Sequence, residues 1–353
     1  RATRVLKPKT KPKVSSARIG YLAILLTGLL LCLGVRYEAN RQYLAAWQQY
    51  LEARQADSRD YTKRVSSFFS TLNDNLGILS FLPSVRKIDS FDHSVGLDGR
   101  GTEAHGNNLG ADGRETIQQV YNILAKNASA SRLYIVPLDF DSKHLDMVTG
   151  RLERPILELD RIRSRSKTIG VDPDSITPAR PDSFRIPEFV EVQTQLNWFK
   201  VNYPTISRLK TFAVPMISGK EIATGGEAGL IFSAPFYDPD GKLAGSVAAV
   251  IPTAVLRSIT GTENYSLISP RAEYISVPLA RDKNIRLMLR AAHSVPTATT
   301  IFSETVTIDT NDARGKWQLN INHPVAGFYT GPRFAARKDF ENGSYLALGL
   351  LTL

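Results

Sequence analysis

Leu230-Ile-Phe-Ser-Ala-Pro-Phe-Tyr-Asp-Pro-Asp-Gly-Lys-Leu-Ala-Gly-Ser-Val-Ala-Ala-Val250 is the stretch that decides the fold. Leu230–Tyr237 and Leu243–Val250 are rich in the apolar and aromatic residues that suit a pleated, buried strand. Between them Asp238-Pro239-Asp240-Gly241 places Asp, Pro and Gly where a type I turn wants them. Ala244, Gly245, Ser246, Ala248 and Ala249 allow close packing. The stretch is an antiparallel hairpin, and Phe212–Ile217 reads as a further strand just before it.

The pattern upstream alternates. Pro187 suits the first position of a helix that Phe189, Val192, Leu196, Phe199 and Tyr203 continue and Pro204 stops. Leu133-Tyr134-Ile135-Val136 reads as a strand ended by Pro137. The polar stretch that follows, to about Asp182, reads as long loops. Asp112 and Glu115 form a capping pair for an amphipathic helix, with Ile117, Val120, Tyr121 and Leu124 at i, i+3, i+4 and i+7. The glycine-rich run Gly96–Gly113 has no strand before it and no Lys-Ser/Thr after it, so it reads as a surface loop and not a phosphate loop. Downstream lies a second, smaller strand set: Tyr265–Ser269, Ala272–Val277, Thr299–Ile308 and Trp317–Ile321. Asp312-Ala313-Arg314-Gly315 marks a turn before the last of these. Sheet elements therefore occur twice, with helices before and between them.

Farther toward the N-terminus, Val35–Leu76 contains no Gly and no Pro. A continuous helix over that stretch would measure about 63 Å. Tyr61, Val65, Phe68, Leu72, Leu76 and Leu79 step by three or four and share one face; Gly77 and Pro83 end or bend the helix. Ile19–Val35 carries no charge and would rise about 26 Å as a helix, close to a hydrocarbon core of about 30 Å. Arg18 and Arg36 flank it. No Ala-x-Ala-like cleavage site follows, which favours an uncleaved anchor over a signal peptide. The basic residues Arg1, Arg4, Lys7, Lys9, Lys11, Lys13 and Arg18 precede it without an acid. The positive-inside rule puts that tail in the cytoplasm and residues 36–343 outside. Ser344–Leu353 is uncharged and apolar and reads as the opening of a second transmembrane helix, with a buried terminal element as the alternative.

The formal net charge is +10, but most of that excess sits in the tail. The body is near neutral and offers neither a basic groove nor a recognisable reading element, which argues against nucleic acid. One cysteine, Cys32, excludes a disulfide framework and a multi-cysteine metal site. Neither Gly-x-Ser-x-Gly nor His-Glu-x-x-His occurs. The histidines are scattered, and Asp139-x-Asp141 and Asp238-x-Asp240 lack the remaining acids of a calcium loop. No catalytic residue, metal or cofactor is expected.

The order of span, long helix, larger module, smaller module and second span resembles a double Cache sensor domain. Phe212-Ala-Val-Pro-Met-Ile-Ser-Gly-Lys-Glu through Phe232–Val247 is similar to the central hairpin of its membrane-distal module. Tyr265-Ser-Leu-Ile-Ser-Pro-Arg-Ala-Glu-Tyr-Ile-Ser is similar to the opening strands of its proximal module. The resemblance implies an α+β fold of two PAS-like antiparallel sheets on a long N-terminal helix. It also implies a small ligand in the distal module, a homodimer, a bacterial inner-membrane setting and a cytoplasmic output. The amino-acid-binding branch of that family uses a Trp-Tyr pair and a later Asp. Here Arg132-Leu133-Tyr134 lacks the pair and Ser218 stands near the acid's place, so the resemblance implies a ligand without implying an amino acid. The expected organisation is a basic tail (1–18), a transmembrane helix (19–35), a signalling and dimerisation helix (36–90), a distal module (91–258), a proximal module (259–330), a linker (331–343) and the start of a second span (344–353). Cyclic-di-GMP turnover is the first expectation for the output, with a histidine kinase or chemoreceptor as the alternative. A membrane-anchored envelope hydrolase or scaffold is the alternative of another class.

Strand periodicity names a candidate site. Arg132 and Tyr134 share one face of a strand, Asp139 opens the loop after it, and Phe212, Met216 and Ser218 align on a second strand. Together they would offer aromatic walls, a cation, an anion and a hydroxyl, which suits a small polar or zwitterionic ligand.

Overall fold

A long N-terminal helix and two antiparallel sheets build the structure, a computed structural model that describes residues 16–88, 111–143, 155, 157–160, 186–209, 214–224, 227–260, 264–276 and 300–351. Residues 1–15 of the basic tail, most of the glycine-rich run and Phe212 lie outside the described residues.

Helix α1 runs from Ser16 to Phe81, 66 residues without interruption. Gly77 does not end it, contrary to the sequence reading. A single glycine costs a helix only about 1 kcal/mol, and the break comes instead at Leu82, which the following Pro83 holds in an extended conformation (φ −58°, ψ 131°). Pro83 then opens the short helix α2, Pro83–Arg86. The expected stripe on α1 is buried at Val65, Leu72, Leu76 and Leu79, with Phe69 in the buried place expected of Phe68. At its other end α1 exposes Tyr21, Leu22, Ile24, Leu25, Leu29 and Leu30. That segment is long and apolar enough to cross a membrane.

The chain divides into two compact units. The first holds the described residues of Arg1–Ala56, Ala298–Phe302 and His323–Leu353. In it, Phe328 of helix α6 (Ala326–Tyr329) is ringed by Tyr43, Trp47 and Tyr50 at 5.6, 5.1 and 5.5 Å between centroids. Arg337 of helix α7 (Pro332–Leu351) donates through Nε to the Ala39 carbonyl at 3.2 Å, and its guanidinium lies 5.0 Å from the centre of the Tyr43 ring. The final apolar stretch is thus helical as far as Leu351.

The second unit, Asp57–Thr297 with Ser303–Asn322, holds helix α3 (Ala111–Asn127), strand β1 (Arg132–Pro137), strand β2 (Leu157–Asp160) and helix α4 (Ile186–Asn202). There follow β3 (Ile217–Thr224), β4 (Glu227–Tyr237), β5 (Leu243–Pro252) and helix α5 (Thr253–Thr260). The first sheet has the order β2-β1-β5-β4-β3, antiparallel throughout. Its β4–β5 hairpin turns at Asp238–Gly241 as read; Gly241 adopts φ +80°, which a side chain would strain. Arg86 of α2 fastens this turn, donating to the carbonyls of Tyr237 at 3.0 Å and Asp238 at 2.7 Å. The second sheet has the order β7-β6-β9-β8, from β6 (Tyr265–Ser269), β7 (Tyr274–Ile275), β8 (Thr300–Ile308) and β9 (Trp317–Pro324).

Two readings of the strands change. β2 lies inside the stretch read as loops: Leu157-Glu-Leu-Asp160 is a short edge strand that its own sequence barely marks, and β1 recruits it. β3 begins at Ile217, two residues after Pro215, which cannot donate to a ladder. A register shift between Ser218 and Glu221 then bends β3 as it pairs with β4.

Candidate functional site

The first sheet has two faces, and alternation along its strands separates them. Tyr134 stands opposite Ala248, Ala248 opposite Ser233, and Ser233 opposite Ile217, which makes one row across four strands. That face is covered by α4. Tyr134, Val136, Ala248, Val250 and Ile231 pack with Phe189, Val192 and Leu196, while Ile217 packs with Phe199. The neighbouring row, Leu133, Ala249, Phe232 and Ser218, belongs to the other face. There Phe69 of α1 meets Phe232 at 5.9 Å and Trp317 at 4.9 Å.

This parity splits the expected site. Arg132 and Tyr134 do come together: both are buried, and both meet Glu188 in the first turn of α4. Arg132 Nη1 pairs with Glu188 Oε1 in a close ion pair, and the Tyr134 hydroxyl donates to Oε2 at 2.5 Å. Met216 and Ser218 lie on the opposite face and three strand spacings from β1, about 14 Å. They do not join Arg132 and Tyr134. Asp139 stands in the exposed turn after Pro137, at the far end of β1 from Arg132. Phe212 lies outside the described residues.

Glu188 is the residue that the sequence reading missed. Its signal was phase: Glu188, Val192, Gln195 and Phe199 fall on one helical stripe, and all four are buried. Two polar side chains at core positions demand partners, because an unpaired buried polar group costs about 1–3 kcal/mol and a buried charge more. Gln195 finds its own across the sheet. Its Nε2 donates to the Ile231 carbonyl at 3.0 Å, and its Oε1 accepts from the Ser233 hydroxyl in a short bond. Gln193 fastens the turn after β1, donating to Asp141 at 3.1 Å and accepting from the Ser142 hydroxyl at 2.6 Å. Glu191 lies over Gly219, where any Cβ would come within 2.6 Å of its Oε1. Burial raises the Glu191 carboxyl above the ordinary range, against the pull of its bond with Gln195 and the positive charge of Arg314.

The cluster is a matched set: one cation, one anion, one phenol and an amide–hydroxyl pair beneath a helix. It can serve in two ways. As it stands it holds the first turn of α4 on β1, with the Glu188 charge also favoured by the helix N-terminus. If that turn lifts, the same guanidinium and phenol become donors for the polar groups of a small molecule. No cluster of three or more His, Cys, Asp and Glu side chains placed to hold a metal ion occurs among the described residues.

No known family model matches the chain, and no curated protein matches it in sequence. Among solved structures, one described as methyl-accepting chemotaxis protein X is similar at 10% identity and TM-score 0.42, covering 78% of this chain and 98% of its own. The sensory domain of the Campylobacter jejuni chemoreceptor Tlp3 is similar at 13% identity and TM-score 0.42, covering 81% and 98%. The Tlp3 ligand-binding domain in complex with L-valine gives 13% identity and TM-score 0.41, covering 81% and 97%. The likeness is loose at these scores, and the functional reading rests on the chain's own residues.

Proposed function

We propose that this chain is the extracytoplasmic sensing region of a bacterial inner-membrane signalling protein, and that a small polar or zwitterionic ligand binds in the first-sheet module beside Arg132, Tyr134 and Glu188. The observation that supports this is α1. One uninterrupted helix carries an exposed apolar segment near its start and a stripe of buried side chains near its end. An enzyme tethered to a membrane needs only a flexible linker, whereas a sensor needs a stiff one. On this reading residues 91–258 form the ligand module and 259–330 the membrane-proximal one. Residues 344–353 open a second span, and the chain works as a homodimer along the 37–75 part of α1. The output is cytoplasmic, with cyclic-di-GMP turnover preferred by resemblance and a chemoreceptor or histidine kinase second. The closed Arg132–Glu188 pair favours one other reading, a scaffold whose polar cluster only anchors α4.

A thermal-shift screen of amino acids, small carboxylates and amines on the full chain in detergent separates the two. A binder at 100 times its Kd adds about 2.7 kcal/mol to the stability of the state it binds. Arg132→Ala and Tyr134→Phe are expected to abolish the shift of any hit. A hit that both variants retain in full would place the pocket elsewhere, and no hit at all would favour the scaffold. For the dimer, cysteines at the exposed positions Ala45 and Gln48, in a Cys32→Ser background, are expected to cross-link in membranes. Monomers alone at native density would count against it.

A further inference from the structure

Strand β3 is the edge of the first sheet, and the turn between β8 and β9 closes that edge. Main chain bridges main chain there: Met216 pairs with Asp312 in a parallel bridge, and the Ala313 N–H donates to the Met216 carbonyl at 2.8 Å. Asp312 then gathers donors from both sheets. Its Oδ2 accepts from the Ser218 hydroxyl in a short bond, from the Ser218 N–H at 3.3 Å and from the Trp317 indole at 3.2 Å. Its Oδ1 accepts from the Arg314 N–H at 2.9 Å. Trp317 opens β9 and is fully buried, with its ring 6.0 Å from Phe232 of β4 and 5.9 Å from Tyr274 of β7. A loop of contacts therefore closes from Ser218 through Asp312 and Trp317 to Phe232, which stands directly opposite Ser218 in the β3–β4 ladder. Farther along β3, Lys220 pairs with Glu273 of the β6–β7 turn at 3.1 Å.

We infer that the Asp312 carboxylate is the coupling point between the two sheets: a displacement of β3 is delivered through it to β9. The inference goes beyond the sensor reading and does not depend on which molecule binds. Two features carry it. The contact is made by one carboxylate shared between a serine of one sheet and a tryptophan of the other, so neither strand can shift without breaking a charge-assisted bond. The strand that bears the serine is bulged at that point, and a bulge re-aims side chains and loosens the ladder locally. β3 is thus held more firmly by the second sheet at Ser218 than a regular edge strand would be.

Coupling of this kind is reciprocal, which gives a test that a merely structural contact fails. Hydrogen exchange is measured by mass spectrometry on the full chain in nanodiscs. Ser218→Ala alters only β3, and it is expected to speed exchange in Trp317–Ile321 by about fivefold or more, the lower end for coupled sites. Trp317→Phe removes only the indole donor, and it is expected to speed exchange in Ile217–Thr224 to a similar extent. The Ser218→Ala/Trp317→Phe double variant should add less than the sum of the two. Changes confined to the strand that carries each substitution would overturn the inference. So would an even rise across the whole unit, or simple additivity.

Discussion

The two faces of the first sheet are equally buried and differently built. Toward α1, Phe69 meets Phe232 and Trp317 in a cluster of rings. Toward α4, the apolar packing of Phe189, Val192 and Leu196 is threaded by Arg132, Glu188, Gln195 and Ser233. Apolar packing is tolerant: rings of the right volume satisfy it. A buried ion pair is not, because each partner is costly without the other. The α1 face therefore serves stability, and on the proposed sensor reading the α4 face is where a change of partner would be felt.

Three measurements break or sharpen this contrast, in urea or thermal unfolding of the full chain in detergent. The largest effect is expected on the ring face. Phe69→Ala should cost about 3–5 kcal/mol, the range for a fully buried aromatic side chain. It should leave intact the binding of any ligand found beside Arg132. A loss under 1 kcal/mol would mean that the ring cluster does not hold α1. The next is on the polar face. Glu188→Gln removes one charge of the pair and should cost about 2 kcal/mol, the value of hydrogen bonds to charged groups. The double change Arg132→Met/Glu188→Leu should recover most of that loss or exceed wild type, while still abolishing ligand response. A double variant less stable than Glu188→Gln would show that the pair stabilises in its own right, and the contrast between the faces would fail.

The smallest effect is a pH slope. Burial raises the Asp312 carboxyl above the ordinary carboxylate range, although Ser218, the Arg314 N–H and the Trp317 indole all favour the ionised form. Between the unfolded value and the raised folded one, the folded chain holds a proton that the unfolded chain has released. That contribution to stability is present below the unfolded value and is lost as pH rises through the raised folded one. Glu191 acts in the same direction. Asp312→Asn should flatten the fall in stability as pH rises from about 4 toward neutrality, leaving the share due to Glu191. An unchanged slope would mean that Asp312 is ionised throughout.

How far the sequence could be read follows from where each signal lives. The Asp238–Gly241 hairpin, the α4 stripe and the long helix are local patterns, and each stands close to where its residues placed it. Alternation in Met216-Ile217-Ser218 told which side chains share a face of their own strand. It could not tell which face of the sheet that was, because strand order and the β3 bulge are set by distant pairing. Hence alternation alone groups Ser218 with Tyr134, whereas its hydroxyl bonds Asp312. The local sequence marks Asp312 only as a turn former, which it is; its second role needs a partner far away in sequence. Glu188 was legible in principle, as a charge in the phase of a buried stripe.

Consider, finally, the continuity of α1. Each residue turns the chain by about 100°, so the spacing of Val65, Phe69, Leu72, Leu76 and Leu79 is what keeps these buried side chains in one stripe. Length in this element is therefore quantised. One residue inserted between Val65 and Leu79 would rotate the two ends of that stripe against each other by about 100°, whereas seven would return them to within about 20°. Among homologous chains, this part of α1 should vary in length by whole heptads far more readily than by single residues. A chain that breaks this rule should carry a compensating kink.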